Sequence, residues 1–271
     1  MELAQDPRLF SLMSHLWKET YASKNEMTET FQHPYGPFNP LEGYMYINRV
    51  CYRVPDVISS AHRIKKKTLQ RSLTPHWDLC PSRLFSSTKE IPRWRPIQCF
   101  VALTANHKPS TGGFEAIRGF HREFEQYHNK KDIEEMESRE QTPTVCVGDF
   151  APARESSLLH RMEHIPYEAG SVIFWDWRIP HANAYHHVGH LPREVVYTGF
   201  LPAISMNKTF AAAQLERYWN RKMPVDHWQN VSEEETHPTL LYDPCTFSNL
   251  GQKLMGITPW KEASDVQKPV I

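Results

Sequence analysis

The feature that most constrains the fold is a set of short segments in the middle of the chain that are rich in β-branched and aromatic residues. One is Gln-Cys-Phe-Val-Ala-Leu-Thr at 98–104, and a second, Phe-Glu-Ala-Ile, directly follows Gly112 and Gly113. GSVIFWDWRIPHANAY at 170–185 starts at a turn glycine, and EVVYTGFL at 194–201 follows after a short interval. Segments of this kind, separated by turn residues, predict strands. We therefore expect a mainly β fold.

Helical patterns flank these strands. Apolar residues recur at helical spacing within 9–21, and they do so again after Pro202. The first set comprises Leu9, Leu12, Met13, Leu16, Trp17 and Tyr21, and the second comprises Phe210, Ala211, Leu215, Tyr218 and Trp219. YMYINRVCYRV at 44–54 alternates well enough to predict one more strand. The expected organisation is a single domain over 1–271, with a core at about 45–203, a helical N-terminal preface and a helical C-terminal tail.

Two stretches carry concentrated charge. The pattern at 56–69 predicts a helix that starts at Asp56 and carries a basic run at 63–67. That run is either a solvated helix face or an entrance patch for an anionic substrate. Residues 121–165 include a long, highly charged stretch with few large aliphatic residues, which predicts an insertion rather than part of the core. A connection of this length is usually a functional lid or a mobile loop.

Composition excludes several function classes. The chain has 31 basic and 31 acidic residues, so it lacks the basic excess of a nucleic-acid or membrane-surface binder. The sequence contains no apolar run of about 20 residues that could cross a bilayer, and no apolar core of signal-peptide type is found near the N-terminus. The five cysteines are widely spaced and predict reduced thiols. We expect a soluble, intracellular, cytoplasmic protein that acts on a small molecule, with no protein partner implied.

Four polar residues indicate chemistry. His76 and Asp78 are separated by one residue, so on a strand both point to the same side. His181 ends a later strand segment, and two imidazoles with one carboxylate are the ligand set of a non-haem iron(II) site with open positions. The turn sequence HHVGHLP predicts a hairpin that places Arg193 on the strand beside His181. A guanidinium there could pair both oxygens of a carboxylate.

The same segments resemble a known family. Ala102-Leu103-Thr104, Gly112-Gly113-Phe114 and the stretch at 117–121 resemble the strand-turn region of the phytanoyl-CoA hydroxylase-like iron(II)/2-oxoglutarate dioxygenases. GSVIFWDWRIPHAN, at 170–183, resembles the distal-histidine strand of that family. The resemblance spans about 45–203. It implies a double-stranded β-helix, which is a jelly-roll, cupin-like fold with flanking helices.

The resemblance also implies residue roles. It makes His76, Asp78 and His181 the iron(II) ligands and therefore the catalytic centre, and it makes Arg193 the partner of the distal carboxylate of 2-oxoglutarate. Asn183, Gln98 and Thr104 are the further expected contacts to this co-substrate. The implied reaction consumes 2-oxoglutarate and dioxygen, releases succinate and carbon dioxide, and hydroxylates a C–H bond of a small molecule.

Two alternatives keep the same fold. One is a cupin-like metalloenzyme that does not use 2-oxoglutarate, in which Arg193 pairs with an acidic neighbour. The other is a non-enzymatic binding module that retains a degenerate site, for which added metal would bring no stabilisation. The residues do not choose among these alternatives, and they leave the substrate open because one fold serves many functions.

Overall fold

The computed structural model describes residues 2–22, 38–61, 75–77, 93–129, 148–149, 156–222 and 246–260. Asp78, the basic run at 63–67 and the charged stretch at 130–147 lie outside these ranges. The chain divides into two compact units. Unit 1 contains Met1–Asn48, Thr88–Pro96 and Thr198–Ile271, and unit 2 contains Arg49–Ser87 and Ile97–Tyr197.

The described secondary structure is mainly strand in the middle of the chain and helix towards its ends. The strands are β1 (Gly43–Met45), β2 (Val50–Arg53), β3 (His76–Trp77), β4 (Ile97–Ala102), β5 (Phe114–Ala116), β6 (Gly148–Asp149), β7 (Glu163–His164), β8 (Val172–Asp176), β9 (His181–Asn183) and β10 (Arg193–Pro202). The helices are α1 (Pro7–Trp17), α2 (Asp56–Ala61), α3 (Phe124–Asn129), α4 (Ser156–Leu159), α5 (Ser205–Trp219) and α6 (Asn249–Leu254). Short 3₁₀ turns cover Glu2–Gln5 and Phe120–Arg122, and a π-helical turn at Lys18–Ala22 extends α1. Antiparallel sheets predominate, which confirms the predicted mainly β fold.

Unit 1 is organised around aromatic residues of α1. Phe10 packs its ring 5.3 Å from Phe200 and 5.6 Å from Trp260, measured between centroids. β1 pairs with the last three residues of β10, Phe200 among them. The helix begins because Asp6 caps it: the carboxylate accepts a hydrogen bond from Arg8 N at 2.8 Å. α1 overlaps the predicted helical segment at 9–21, and α5 contains the apolar residues of the predicted helix after Pro202.

Unit 2 contains two antiparallel sheets. Sheet I has the order β2–β10–β4–β8, where β10 contributes its first five residues, and sheet II has the order β6–β3–β9–β5–β7. Their inner faces meet in one apolar cluster. Sheet I contributes Phe100, Ala102, Trp175 and Val195, sheet II contributes Phe114 and Ala116, and Tyr167 comes from the segment between β7 and β8. Alternation along each strand directs these side chains inwards.

The predicted hairpin between His181 and Arg193 is wrong. β9 lies in sheet II and β10 lies in sheet I, so the chain crosses from one sheet to the other between them. The crossing segment, residues 184–192, forms hydrogen bonds with distant parts of unit 2: Ala184 N donates to Gly113 O at 2.8 Å, and Asp56 N donates to His187 O at 2.9 Å. These long-range bonds replace the ladder that a hairpin would form. His181 and Arg193 therefore stand on opposite sheets.

Two other sequence boundaries differ from the structure. The segment at 44–54 forms two strands rather than one, because β1 and β2 are separated by residues 46–49. Within the predicted insertion, β6 pairs with β3 and β7 pairs with β5, so these short strands belong to sheet II. Their two-residue length gives too little alternation for a sequence pattern to reveal them.

Gly113 is a position where any side chain would collide with its surroundings. A Cβ added there would lie 2.7 Å from Asn106 Cγ and 3.0 Å from His164 Cε1. Asn106 cannot move freely, because its side chain donates to Thr111 O at 3.1 Å. We expect Gly113→Ala to lower the free energy of unfolding by about 1–3 kcal/mol, the usual cost of overpacking. Chemical denaturation would measure the change.

Gly119 provides the matched control for that substitution. Its φ of +77° disfavours alanine, but a Cβ added there meets nothing within 4 Å. Gly119→Ala should therefore lower the free energy of unfolding only by the cost of placing alanine at a positive φ, about 1 kcal/mol. A Gly113→Ala variant as stable as the parent would show that the Asn106 side chain can move aside without loss of stability.

No helix among the described residues combines the length and apolar character needed to cross a membrane.

Candidate functional site

His76 and His181 face each other on sheet II. They are directly opposed in the register of β3 and β9, and their ring centroids are 4.5 Å apart. Both side chains are buried, with 3% and 5% of their surface exposed. Residues directly opposite one another on antiparallel strands point to the same side, so both imidazoles face the space between the sheets. The structure thus brings together two of the three predicted metal ligands.

Trp77 points away from that space. Its ring centroid lies 5.9 Å from Phe120 and 5.9 Å from Tyr127, and its indole nitrogen donates to Arg178 O at 3.0 Å. This is the alternation expected of a strand in which residue 76 points inwards. Asp78, the third predicted ligand, lies outside the described residues. Its predicted role as a metal ligand therefore stays a prediction.

A tight turn orients the His181 ring. Nδ1 of His181 is 3.0 Å from Ile179 O. With the proton on Nδ1, this nitrogen donates to the carbonyl and Nε2 keeps its lone pair, which is the arrangement of a metal-binding histidine. The turn itself is fixed by Asp176 and Arg178, which are joined by two contacts of 2.8 Å. Within the described part of the chain, no three His, Cys, Asp or Glu side chains form a group that could hold a metal ion.

Arg193 is a buried cation on the opposite sheet. Only 1% of its surface is exposed. Nε donates to the Tyr167 hydroxyl at 2.9 Å, Nη1 donates to Cys51 Sγ at 3.3 Å, and the guanidinium lies 5.4 Å from the centroid of the Phe100 ring. Among the residues that the structure describes, Nη2 has no hydrogen-bond partner and the guanidinium forms no ion pair with a carboxylate. A guanidinium does not deprotonate, so the charge remains.

A group of packed aromatic rings separates the histidine pair from Arg193. The His181 ring centroid lies 5.2 Å from Trp175 and 5.8 Å from Phe114. Both of those rings contact Phe100, at 5.9 and 5.6 Å. Phe100 is also the ring beneath Arg193. The imidazoles and the guanidinium therefore lie on opposite sides of this aromatic group.

Asn183, Gln98 and Thr104, the remaining residues predicted to contact the co-substrate, lie in different places. Asn183 is buried on β9, and because it lies two residues after His181 it shares that residue's face of the sheet. Gln98 is buried on β4 opposite Trp175, near the histidine end. Gln98 Nε2 and Trp175 Nε1 are both buried, and neither has a hydrogen-bond partner among the described residues. A ligand acceptor could satisfy either donor.

Thr104 lies at the other end of β4. Its hydroxyl accepts a hydrogen bond from Glu194 N at 2.9 Å, so it ties the end of β4 to the start of β10 beside Arg193. Gln98 is six residues away, about 20 Å along an extended strand. The structure therefore places Thr104 near Arg193 and Gln98 near the histidines, and it does not bring the two together. That both residues contact one co-substrate stays a prediction.

Sequence reasoning missed the residues that brace the crossing segment. Arg53, which is 2% exposed, donates to the carbonyls of Ala184 and Tyr185, the latter at 2.6 Å. The Asp56 carboxylate accepts from His187 N at 2.9 Å. Burial lowers the pKa of His187, Arg53 lowers it further, and Asp56 opposes the shift. No local pattern marks these residues, because each acts on a segment about 130 positions further along the chain.

Tyr167 was also missed. Its ring is buried in the cluster between the sheets, and its hydroxyl holds Nε of Arg193. In the sequence it is one tyrosine shortly before a turn glycine, which is a common arrangement that does not indicate a site.

Comparison with known proteins identifies relatives by structure alone. No family model matches the sequence, and no curated protein matches it. A hypothetical protein of Escherichia coli has a TM-score of 0.65 and 17% identity, over 94% of this chain and 68% of its own. The GlcNAc-inducible gene 2 product (DUF1479) of Candida albicans has a TM-score of 0.66 and 14% identity, over 96% and 64%.

A third similar structure comes from Salmonella typhimurium LT2. This protein, named provisionally as an oxidoreductase, has a TM-score of 0.63 and 14% identity, over 94% of this chain and 65% of its own. The chain thus spans about two thirds of the length of these three proteins. At such low identity the likeness shows a shared fold, and function must be argued from the site.

Proposed function

We propose that this protein is an iron(II)- and 2-oxoglutarate-dependent dioxygenase that hydroxylates a C–H bond of a small molecule. The proposal includes a double-stranded β-helix for unit 2, which two facing antiparallel sheets support. We also propose that the chain belongs to the family that its sequence resembles, the phytanoyl-CoA hydroxylase-like enzymes. The fold shared with the Salmonella protein is consistent with an oxidoreductase.

The observation that carries the proposal is that the buried guanidinium of Arg193 has no counter-ion among the described residues and that the same group of aromatic rings contacts both Arg193 and His181, one of two facing imidazoles. Burial of a charge is costly unless the charge is paired. Arg193 is 1% exposed and no carboxylate of the described residues pairs with it. A ligand carboxylate would supply the missing counter-ion, and a guanidinium binds that group well. A dicarboxylic acid could therefore bridge Arg193 and a metal near the histidines.

The residues present fit an iron ion as far as they are described. His76 and His181 offer two imidazoles, and the Ile179 carbonyl favours the tautomer of His181 that binds through Nε2. Asp78 would supply the carboxylate, which completes the two-histidine, one-carboxylate ligand set. When bound, iron(II) would supply the oxidising chemistry, in which one oxygen atom of dioxygen enters succinate and the other enters the product.

The chain's own residues would bind the acid, orient it and shield it from water. Arg193 would hold the distal carboxylate and so fix the opposite end of the acid towards the histidines. Asn183 and Gln98 are polar contacts proposed for the same ligand, and Gln98 Nε2 is a donor in need of an acceptor. Thr104 lies about 20 Å from Gln98 along the extended strand, too far for one five-carbon acid to reach both, and it is left out of the proposed site. Phe100, Phe114 and Trp175 would exclude water from the bound acid, because their rings form the aromatic group between the imidazoles and the guanidinium.

Co-substrate turnover tests the proposal. Protein reconstituted with iron(II) under anaerobic conditions would receive 2-oxoglutarate, dioxygen and ascorbate, and succinate would be measured by NMR. We expect slow succinate formation that requires both iron(II) and 2-oxoglutarate, since such turnover does not depend on knowing the substrate. Ascorbate supplies the reducing equivalents that the unknown substrate would otherwise supply.

The negative outcomes separate the alternatives. Stabilisation by metal without succinate, and without any effect of 2-oxoglutarate, would favour the cupin-like metalloenzyme. No shift in melting temperature with manganese(II), iron(II) or 2-oxoglutarate would favour a non-enzymatic module, because a ligand that binds the folded state must stabilise it.

A further inference from the structure

Tyr167 is held rigidly beside Arg193. Its backbone exchanges two hydrogen bonds with Asn106: Asn106 N donates to Tyr167 O at 2.8 Å, and Tyr167 N donates to Asn106 O at 3.1 Å. Its ring is 5% exposed and lies 5.4 Å from the Phe100 ring, measured between centroids. Backbone bonds and core packing therefore fix the position of the phenol.

The hydrogen bonds of Arg193 determine how a carboxylate can approach it. Nε carries one hydrogen, which the Tyr167 hydroxyl accepts at 2.9 Å. This excludes the side-on approach, in which a carboxylate bridges Nε and Nη2. Nη1 directs one hydrogen to Cys51 Sγ, whereas Nη2 has no partner among the described residues. An anion must therefore approach the end of the guanidinium where Nη2 lies.

The Tyr167 hydroxyl still has a hydrogen of its own to donate. Its oxygen is an acceptor in the bond from Arg193, and the described residues provide no acceptor for its O–H. Two donors, Tyr167 O–H and Arg193 Nη2–H, thus remain unsatisfied side by side in a buried place. Unsatisfied buried donors are costly, and one anionic acceptor would satisfy both.

We propose that Tyr167 is a second binding residue for the distal carboxylate, and that it donates its hydroxyl hydrogen while Arg193 donates from Nη2. The inference rests on the proposed function, because it names how the 2-oxoglutarate site recognises its ligand. It assigns a role to a residue that no motif in the sequence singles out.

The protonation of the phenol agrees with this role. Burial raises the pKa of Tyr167 above its usual value of 10.0, and the neighbouring Arg193 opposes that shift. The phenol therefore keeps its proton at neutral pH and can donate it in a hydrogen bond.

Tyr167→Phe tests the proposal, since it removes the hydroxyl and keeps the ring that packs on Phe100. Binding of 2-oxoglutarate would be measured by calorimetry on manganese(II)-loaded protein without oxygen. A hydrogen bond to a charged group is worth enough to predict a tenfold or larger rise in Kd. The same measurement with 2-oxovalerate, which lacks the distal carboxylate, should give a Kd that the substitution changes by less than about twofold.

Tyr197→Phe is the matched control. This tyrosine lies on β10, four residues after Arg193, and its ring centroid is 5.8 Å from Phe100. It is an electrostatic neighbour of Arg193 and of Tyr167, but its hydroxyl accepts no hydrogen bond from the guanidinium, so it tests whether proximity alone is enough. The control should bind 2-oxoglutarate within about twofold of the parent. If Tyr167→Phe folds poorly, a near-ultraviolet tyrosine difference spectrum of the parent provides a second measurement: 2-oxoglutarate should produce it and 2-oxovalerate should not.

The outcomes separate this proposal from the proposed function. If the parent binds no 2-oxoglutarate, the proposed function fails. If the parent binds it and Arg193→Met does not, but Tyr167→Phe binds it as the parent does, the function stands and the role of Tyr167 is overturned. An equal loss of affinity for 2-oxoglutarate and 2-oxovalerate would also overturn it, because Tyr167 would then act through packing alone.

Discussion

Replacing His181 with alanine should abolish stabilisation of the protein by metal and all succinate formation. His181 and His76 are the two described imidazoles that face one space at a centroid distance of 4.5 Å, and a metal site that loses one of them keeps too few ligands. At a manganese(II) concentration of a hundred times its Kd, the parent should gain about 2.7 kcal/mol of unfolding free energy. His181→Ala should gain nothing measurable, and thermal melting with and without metal would show this.

His186→Ala is the control for that experiment. It removes a histidine from the same stretch of chain, but this side chain is 64% exposed and belongs to the crossing segment. Its metal-induced shift should equal that of the parent. Equal shifts in His181→Ala and the parent would mean that metal binds elsewhere, and the iron site proposed for unit 2 would have to be abandoned.

Replacing Arg193 with methionine should weaken 2-oxoglutarate binding by about a hundredfold or more while making the ligand-free protein more stable. Loss of a buried charge-assisted pair accounts for the first effect. The second follows because Arg193 is a buried cation without a carboxylate partner among the described residues, and methionine has similar length and no charge. Relief of that burial, less the lost bonds to Tyr167 and Cys51, should raise the unfolding free energy by about 1 kcal/mol.

The same substitution at Arg178 should have the opposite effect on stability. Arg178 is also buried, at 5% exposed, but it is paired with Asp176 through two contacts of 2.8 Å. Its removal leaves a carboxylate buried without its partner and should cost about 3–5 kcal/mol. Urea denaturation would show whether the free energy of unfolding rises in Arg193→Met and falls in Arg178→Met. If both variants lose stability alike, Arg193 is not an uncompensated charge, and the main support for the co-substrate site is lost.

Local sequence patterns were sufficient to predict the strands and the side of the strand on which the His76 side chain lies. Alternation around His76 and Trp77 requires that one side chain face inwards and the other outwards, and the structure has that arrangement. The segments at 98–104 and 194–201 contain long β-type runs, and they coincide with β4 and β10. In each case the signal depends only on neighbours in the chain, which is where sequence patterns are informative.

The errors arise where distant residues decide the structure. HHVGHLP has the composition of a hairpin turn, yet Arg53, Asp56 and Gly113 hold this segment in a crossing between sheets. Turn residues indicate that a chain changes direction, but they do not indicate which strand it joins next. Tyr167 could not be found for the same reason, because its significance depends on Arg193, 26 residues further on.

The crossing of the chain between the sheets has a consequence for selectivity. Since the imidazoles and the guanidinium stand on opposite sheets, the gap between the sheets, typically about 10 Å, would limit the length of the acid that is proposed to bridge them. Core side chains such as Phe100 pack between the sheets, so packing volume, more than any polar contact, would determine the chain length of the dicarboxylate in the proposed site. Related proteins with a smaller residue at this position would be expected to favour a different acid.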